Sequence, residues 1–393
     1  MNFTRTKPYA LLFLPVGLLC WFCVVQYTKP GQLPPDEIIL SDAVITKAVA
    51  HDDGNLPPKA DRAKHPKIIL FWTSFFGGKN SYLGEEGERL KICIVSECIM
   101  TDDRSLWNTS DALIFHPLDF NPSDVPPVRH AHQYYIYFVL ESPHHSNAGP
   151  PGFFNLTFTY RLDSDIIADN YLQYFRPSLW TKAEEFDAVW RRKTRGIAMF
   201  ASNCGAPSDR SNYVKLLQRY IPVDVYGSCG TMQCTRDTKE KCDNLVGEYK
   251  FYLAFENSIC RDYITEKAIR PYAVDTVPIF LSGANYSHMF PTDSFIDVQD
   301  FKSPKHLARH LQHLSHDKDA YSAYFRFRYR TRTNPHNGLP PRLAPDNVSL
   351  CKLCEMLHAK KRVRKFYPNL EDWWVKQADC KQPQWNTFYK DML

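Results

Sequence analysis

The chain has 393 residues, 48 basic against 43 acidic side chains, a formal charge of +5 and 44% apolar residues. Such usage excludes a disordered chain and a multi-span membrane protein, and the length suits two domains of ordinary size. The small basic excess lacks the dense stripe of a nucleic-acid binder; the runs at Arg191, Arg192, Lys193, Arg195 and at Lys360, Lys361, Arg362, Arg364, Lys365 read as solvated faces.

Residues 8–27 carry no charged side chain, and Arg5 and Lys7 precede them. As a helix this run spans about 30 Å, the thickness of a bilayer core. Bulky Trp21, Phe22, Val24 and Val25 stand where a cleavage site needs small residues, so the run reads as an uncleaved signal anchor. The positive flank stays cytosolic. The expectation is a single-pass type II protein of the Golgi membrane, with residues 1–7 as cytosolic tail and the remainder lumenal. Residues 28–65 contain Pro30, Pro34, Pro35, Pro57 and Pro58 and no sustained apolar period, which predicts an extended stem.

The cysteines agree with that topology. Cys20 and Cys23 lie in the apolar run, and the other ten (Cys93, Cys98, Cys204, Cys229, Cys234, Cys242, Cys260, Cys351, Cys354 and Cys380) form an even set suited to disulfides in an oxidising lumen. Their pairing is not readable from spacing. Cys351 and Cys354 have the spacing of half a zinc site or a redox motif, but no second such pair accompanies them, which favours structural disulfides. Glycosylation sequons stand at Asn108, Asn155, Asn285 and Asn347.

Apolar, β-branched and aromatic runs predict buried strands over 67–74, 112–116, 134–140, 155–161, 196–203, 223–226, 251–256 and 277–281. Helical patterns lie between several of them: 209–220 with Tyr213, Leu216, Leu217 and Tyr220 on one face, 262–270 opening on Asp262 as N-cap, and 303–314 opening on Ser303 and Pro304. The alternation after residue 196 predicts βαβ units on a parallel sheet. Phe325 to Arg330 alternates aromatic and basic residues; lumenal topology argues against nucleic acid, and the run reads as a helix end packed near the second domain.

The chemistry concentrates in residues 251–267, Phe-Tyr-Leu-Ala-Phe-Glu-Asn-Ser-Ile-Cys-Arg-Asp-Tyr-Ile-Thr-Glu-Lys. Read physically, a buried strand gives way to a short polar loop and a helix start. A ligand at that edge of a parallel sheet meets a helix N-terminus, which favours phosphate. Lys267 adds a positive charge and Glu266 can accept bonds from sugar hydroxyls. An adjacent charge pair on a solvated helix is the plain alternative.

This stretch resembles the signature of the α1,3-fucosyltransferases, glycosyltransferase family 10: F-x-x-x-F-E-N-S, then five to six residues, then Y-[IV]-T-E-K. Further agreement lies at Ser202-Asn203-Cys204 followed by Arg210, Tyr213 and Leu217, at Val225-Tyr226-Gly227, at Leu140-Glu141-Ser142-Pro143, and at Phe154-Asn155-Leu156-Thr157 running on to Tyr160-Arg161-Leu162-Asp163-Ser164-Asp165. The resemblance covers about residues 66–380. It implies an α/β, GT-B type fold with two Rossmann-like domains facing across a cleft: an acceptor-binding domain over 66–190, and a GDP-fucose-binding domain over 191–393 with a disulfide-rich tail.

It also implies roles. Arg210 matches the arginine at the donor pyrophosphate, Lys267 the lysine on the phosphates, and Glu266 the glutamate at ribose or fucose hydroxyls. Asn257 and Tyr263 match donor-pocket positions, and Glu141 matches the general base. GDP-fucose is then the donor, an N-acetylglucosamine-containing glycan on a glycoprotein or glycolipid the acceptor, and no cofactor is required. Asp163-Ser164-Asp165 has the form of a metal-binding D-x-D motif, but the family holds its nucleotide with basic residues. Mn²⁺ or Mg²⁺ is at most a stimulant, and Arg161 pairing is the expected use of these aspartates. His130, His132, His144 and His145 read as acceptor contacts or a solvated loop rather than a metal cluster. Lactosamine, diacetyllactosediamine and the N-glycan core all remain open as acceptors. So do fucosylation of a protein side chain or another sugar position, and a silent glycan-binding scaffold; a complete set of Glu141, Arg210, Glu266 and Lys267 disfavours the last.

Overall fold

The computed structural model describes residues 56–78, 90–91, 93–168, 180, 182–234, 239–329 and 349–383. The expected anchor at 8–27, most of the expected stem and Asn347 lie outside the described residues. The last residues assigned to the stem form a short helix, α1 (Lys59–Lys64), tied to the first domain by Arg62 Nε to Glu97 Oε2 at 3.0 Å.

The first sheet is six-stranded and parallel, in the order β2 (Cys98–Thr101), β1 (Lys67–Phe71), β3 (Ala112–Phe115), β4 (Tyr134–Val139), β5 (Leu156–Thr159) and β6 (Ile166–Ile167). A parallel sheet buries both faces, so its central strands are apolar throughout. In β4, Tyr134, Ile136 and Phe138 enter one core, while Tyr135, Tyr137 and Val139 enter the other.

Among the described residues, the stretch from β1 to residue 168 contains no α-helix. Its faces are covered by the chain's C-terminal part. Helix α8 (Ser349–His358) lays Leu350, Leu353 and Leu357 on one face, and residues 367–374, including α9 (Leu370–Trp374), lay Tyr367, Leu370 and Trp374 on the other. Each such leucine stabilises by roughly 1.5–3 kcal/mol relative to exposure. Disulfides Cys93–Cys351 and Cys98–Cys354 fasten α8 to the edge of the sheet. The tail assigned to the second domain therefore completes the core of the first.

The second sheet is five-stranded and parallel, in the order β11 (Ile296–Asp297), β10 (Val277–Leu281), β9 (Tyr249–Phe255), β7 (Arg195–Phe200) and β8 (Asp224–Tyr226). Helices follow its strands: α2 (Ala183–Arg192) before β7, α3 (Arg210–Leu217), α4 (Lys239–Val246), α5 (Glu266–Ala273), α6 (Pro304–His316) and α7 (Lys318–Ser322). Helix α6 is capped as expected, with Ser303 accepting from His306 N, and buries Leu307, Leu311 and Leu314. Residues 323–328 form a 3-10 helix whose Phe325 packs at 5.5 Å between ring centroids on Trp180.

Candidate active site

The two sheets turn the carboxyl ends of their strands toward one another. The loop after β9 (256–265) meets the loops after β4 and β5 through four polar contacts. Ser258 and Ser142 hydroxyls lie 2.7 Å apart, Tyr263 donates to Glu141 Oε2 at 3.2 Å, Leu162 N donates to Asp262 Oδ2 at 3.1 Å, and Arg261 pairs with Asp163. Cys260 and Tyr263 also join the apolar core of the first sheet, where the tilted rings of Tyr160 and Tyr263 lie 5.0 Å apart between centroids. Gly283, following β10, lets this loop lie close: a Cβ there would stand 2.6 Å from the Cys260 backbone.

Glu256 organises the loop and α5. Its carboxylate is 2% exposed, accepts from Thr265 N at 2.8 Å and Thr265 Oγ1 at 2.9 Å, and faces Lys267 Nζ at 3.3 Å. Burial raises its pKa, against the pull of Lys267 and the Thr265 bonds. The expected helix start at Asp262 is corrected here. Helix α5 begins at Glu266 after Thr265, while Asp262, at φ 62°, turns left-handed and accepts from Leu162 instead. The start of α5 is thus already capped by an anion, the Glu256 carboxylate.

Two cationic side chains stand beside this loop, Arg210 and Lys267. Ser208 N and Oγ donate to Asn257 O and Glu256 O at 2.9 and 2.7 Å, which sutures the loop before α3 to the end of β9. Arg210, 2% exposed, consequently points back along β9 and donates to Phe255 O at 2.7 Å and Asn203 O at 3.2 Å. Its Nε is buried with no hydrogen-bond partner, and among the described residues no carboxylate pairs with it. Burial lowers its pKa, against the pull of the nearby Glu256 and Glu266 carboxylates. Lys267 lies near both Glu256 and Glu266, the latter at 3.4 Å. Asn257 Oδ1 is a second buried atom without a partner.

Model matches cover most of the chain. The C-terminal model of glycosyltransferase family 10 (fucosyltransferase) matches residues 190–373, and the fucosyltransferase N-terminal model matches residues 64–171. The chain belongs to the family-10 fucosyltransferases. Relatives include glycoprotein 3-alpha-L-fucosyltransferase A of Drosophila melanogaster, 34% identical over 75% of this chain and 58% of that protein. Another is the Homo sapiens 4-galactosyl-N-acetylglucosaminide 3-alpha-L-fucosyltransferase FUT6, 35% identical over 80% of this chain and 87% of that one. A crystal structure of an α1,3-fucosyltransferase shares the fold at a TM-score of 0.53 and 18% identity, over 77% of this chain and 94% of that one. The GDP complex of an α1,3-fucosyltransferase superposes at 0.51 and 18% identity, over 76% and 92%.

Within this fucosyltransferase, Glu141, Tyr263, Glu266 and Lys267 gather at one place through the loop 256–267, with Arg210 and Asn257 lining the end of β9. Asp163 and Asp165 are engaged otherwise. Arg161 Nε and Nη2 grip Asp163 at 2.9 and 2.7 Å, and Asp165 accepts from Thr157 N at 2.9 Å, Tyr367 at 2.9 Å and Lys365 at 2.6 Å. These partners hold both carboxylates and leave the D-x-D motif poorly suited to a cation. His144 lies near Cys260 and Cys380, and His358 near Cys98 and Cys354, but these cysteines are consumed in disulfides.

Several site residues carry no sequence signal of their own. The Ser142–Ser258 bridge depends on which loops meet. The Cys260–Cys380 disulfide, with Lys381 N on Ile259 O at 2.7 Å and Arg261 N on Ala378 O at 2.8 Å, straps the loop to the tail. Asp119 accepts from Phe76 N at 2.8 Å, Gly77 N at 2.6 Å and Ser74 Oγ at 2.8 Å, pinning the loop beyond β1. Among the sequons, Asn108 and Asn285 are exposed. Asn155 is engaged, its Nδ2 donating to Lys365 O at 3.1 Å and its Oδ1 accepting from Tyr135 N at 2.9 Å.

Proposed function

We propose that this chain is an inverting α1,3-fucosyltransferase that moves L-fucose from GDP-β-L-fucose to the 3-hydroxyl of N-acetylglucosamine in protein- or lipid-linked glycans. The enzyme class follows from the family and from relatives named for that transfer. The observation that carries the mechanism is the contact of Tyr263 with Glu141 across the two sheets. It places a carboxylate of one sheet beside the loop through which the other sheet supplies Glu266 and Lys267.

Departure of GDP leaves an oxocarbenium-like fucosyl group and a diphosphate gaining negative charge. Arg210 and Lys267 stabilise that charge, and a cation without a carboxylate partner in a desolvated wall does so strongly. Glu141 accepts the proton of the attacking hydroxyl on the opposite face. The acceptor oxygen bonds to C1 as the C1–phosphate oxygen bond breaks, so one displacement inverts the β-linked donor to an α-linked product. The diphosphate leaves without protonation, and one base suffices.

The GT-B arrangement, with Rossmann-like domains facing across a cleft, belongs to the same proposal, supported by two parallel sheets meeting at their carboxyl ends. So does the type II Golgi placement, which rests on the uncharged run at 8–27; no helix among the described residues is long and apolar enough to cross a membrane. The test is transfer from GDP-fucose by the full chain to lactosamine, diacetyllactosediamine and N-glycan-core acceptors, read by mass spectrometry. Fucose gained on position 3 of N-acetylglucosamine is expected. No product on any acceptor, with wild type and Lys267→Ala alike, would overturn the reading.

A further inference from the structure

His145 closes the 3-10 turn Pro143–His145 just after Glu141. The turn is braced on both sides. Ser142 is bound to Ser258, His145 N donates to Ser142 O at 2.8 Å, Ser146 Oγ donates to the same carbonyl at 2.9 Å, and Trp374 Nε1 donates to Ser146 Oγ at 3.0 Å. The backbone that carries the His145 side chain is thereby held in place.

The imidazole Nε2 is nevertheless buried and has no hydrogen-bond partner. An unpaired buried nitrogen costs free energy, which a bound ligand can relieve. Three charges act on this ring: the Glu141 carboxylate, and the Arg210 and Lys267 cations. Burial holds its pKa below the ordinary value of 6.5, so the ring is neutral at pH 7 and can donate or accept. In a displacement running from acceptor hydroxyl through C1 to diphosphate, Glu141 marks the acceptor end and the two cations mark the diphosphate end. The group between them is the transferred sugar.

We propose that His145 Nε2 hydrogen-bonds a hydroxyl of the fucosyl unit, so that His145 recognises the sugar of the donor and not its nucleotide. This rests on the GDP-fucose reading above and adds a residue that the motif match does not assign.

The test compares GDP with GDP-fucose as calorimetric ligands of the full chain. His145→Ala should weaken GDP-fucose about tenfold, the worth of one hydrogen bond, and leave GDP within about twofold. His145→Gln, with an amide in place of the ring, should recover part of that loss. Equal weakening of both ligands, or of neither, would overturn the assignment. A measurement on the wild type guards against a variant that fails to fold: ¹⁵N NMR of the histidine rings should show a shift with GDP-fucose that GDP does not cause, and its absence overturns the assignment. Failure of the parent reading looks different, because the wild type would then bind neither ligand.

Discussion

Glu256→Ala removes the carboxylate around which the donor loop is built. Three contacts go with it: Thr265 N at 2.8 Å, Thr265 Oγ1 at 2.9 Å and Lys267 Nζ at 3.3 Å. Thr265 is buried, so its amide loses its partner where water enters poorly, a loss of about 1–3 kcal/mol. Breaking a buried ion pair from one side costs about 3–5 kcal/mol. Lys267 is 19% exposed, keeps Glu266 and itself donates to Thr265 Oγ1 at 2.8 Å, so the two losses overlap and the total is about 3–4 kcal/mol. For a domain of this size that lowers the melting temperature by about 6–16 °C. Lys267 would also lose its orientation, and GDP affinity should fall at least tenfold. Glu256→Gln keeps an acceptor for Thr265 N and should recover about half of the melting loss. Thermal melting with and without GDP reads both effects. A shift of less than about 2 °C with unchanged GDP binding would refute the view that this carboxylate organises the loop and the start of α5.

Three further outcomes follow. Arg210→Ala should weaken GDP binding by roughly 10- to 100-fold, since one charge-assisted hydrogen bond is worth about 1.5–3 kcal/mol; calorimetry showing wild-type affinity would remove Arg210 from the site. Cys354→Ser opens the link between α8 and Cys98 and should cost about 2–5 kcal/mol, seen as a lowered urea midpoint; an unchanged midpoint would mean that packing and the Cys93–Cys351 disulfide suffice to hold α8. Asp119 is the pH case. Burial resists its ionisation, but His116, Gly77 N and Ser74 outweigh burial and lower its pKa from 3.8 to about 2. A depressed folded-state pKa gives stability that is present above pH 3.8 and lost as pH falls toward about 2. Asp119→Asn should flatten the urea midpoint across that window, and an undiminished slope would contradict the assignment.

Much of this was legible in the residues. The strands declared themselves because a parallel sheet buries both faces, so β4 and, after Lys250, the rest of β9 read as apolar runs. The cap of α6 was equally local, since Ser303 acts on its own helix. The start of α5 was not, because Asp262 is held by Leu162 of the other sheet, and no local rule sees that partner. Strand β2 escaped notice because it is a half-exposed edge strand only four residues long. Helix α8 carries its period plainly in Leu350, Leu353 and Leu357, but the cysteine spacing drew the reading toward disulfides and metals. Cysteine pairing depended on where the tail returns, which spacing cannot encode. The candidate site residues came from the family motif. What the motif could not reveal is that Lys267 is shared with Glu256 and Glu266, so the start of α5 is less positive than its sequence suggested.

The most direct test is Glu141→Gln, which keeps shape and hydrogen bonding but cannot take a proton. GDP affinity should stay within about threefold of wild type while fucose transfer falls by about 100-fold or more, the usual worth of a general base. Transfer near the wild-type rate, or GDP affinity lost in proportion to activity, would contradict a division of labour in which one sheet holds the leaving nucleotide and the other accepts the proton.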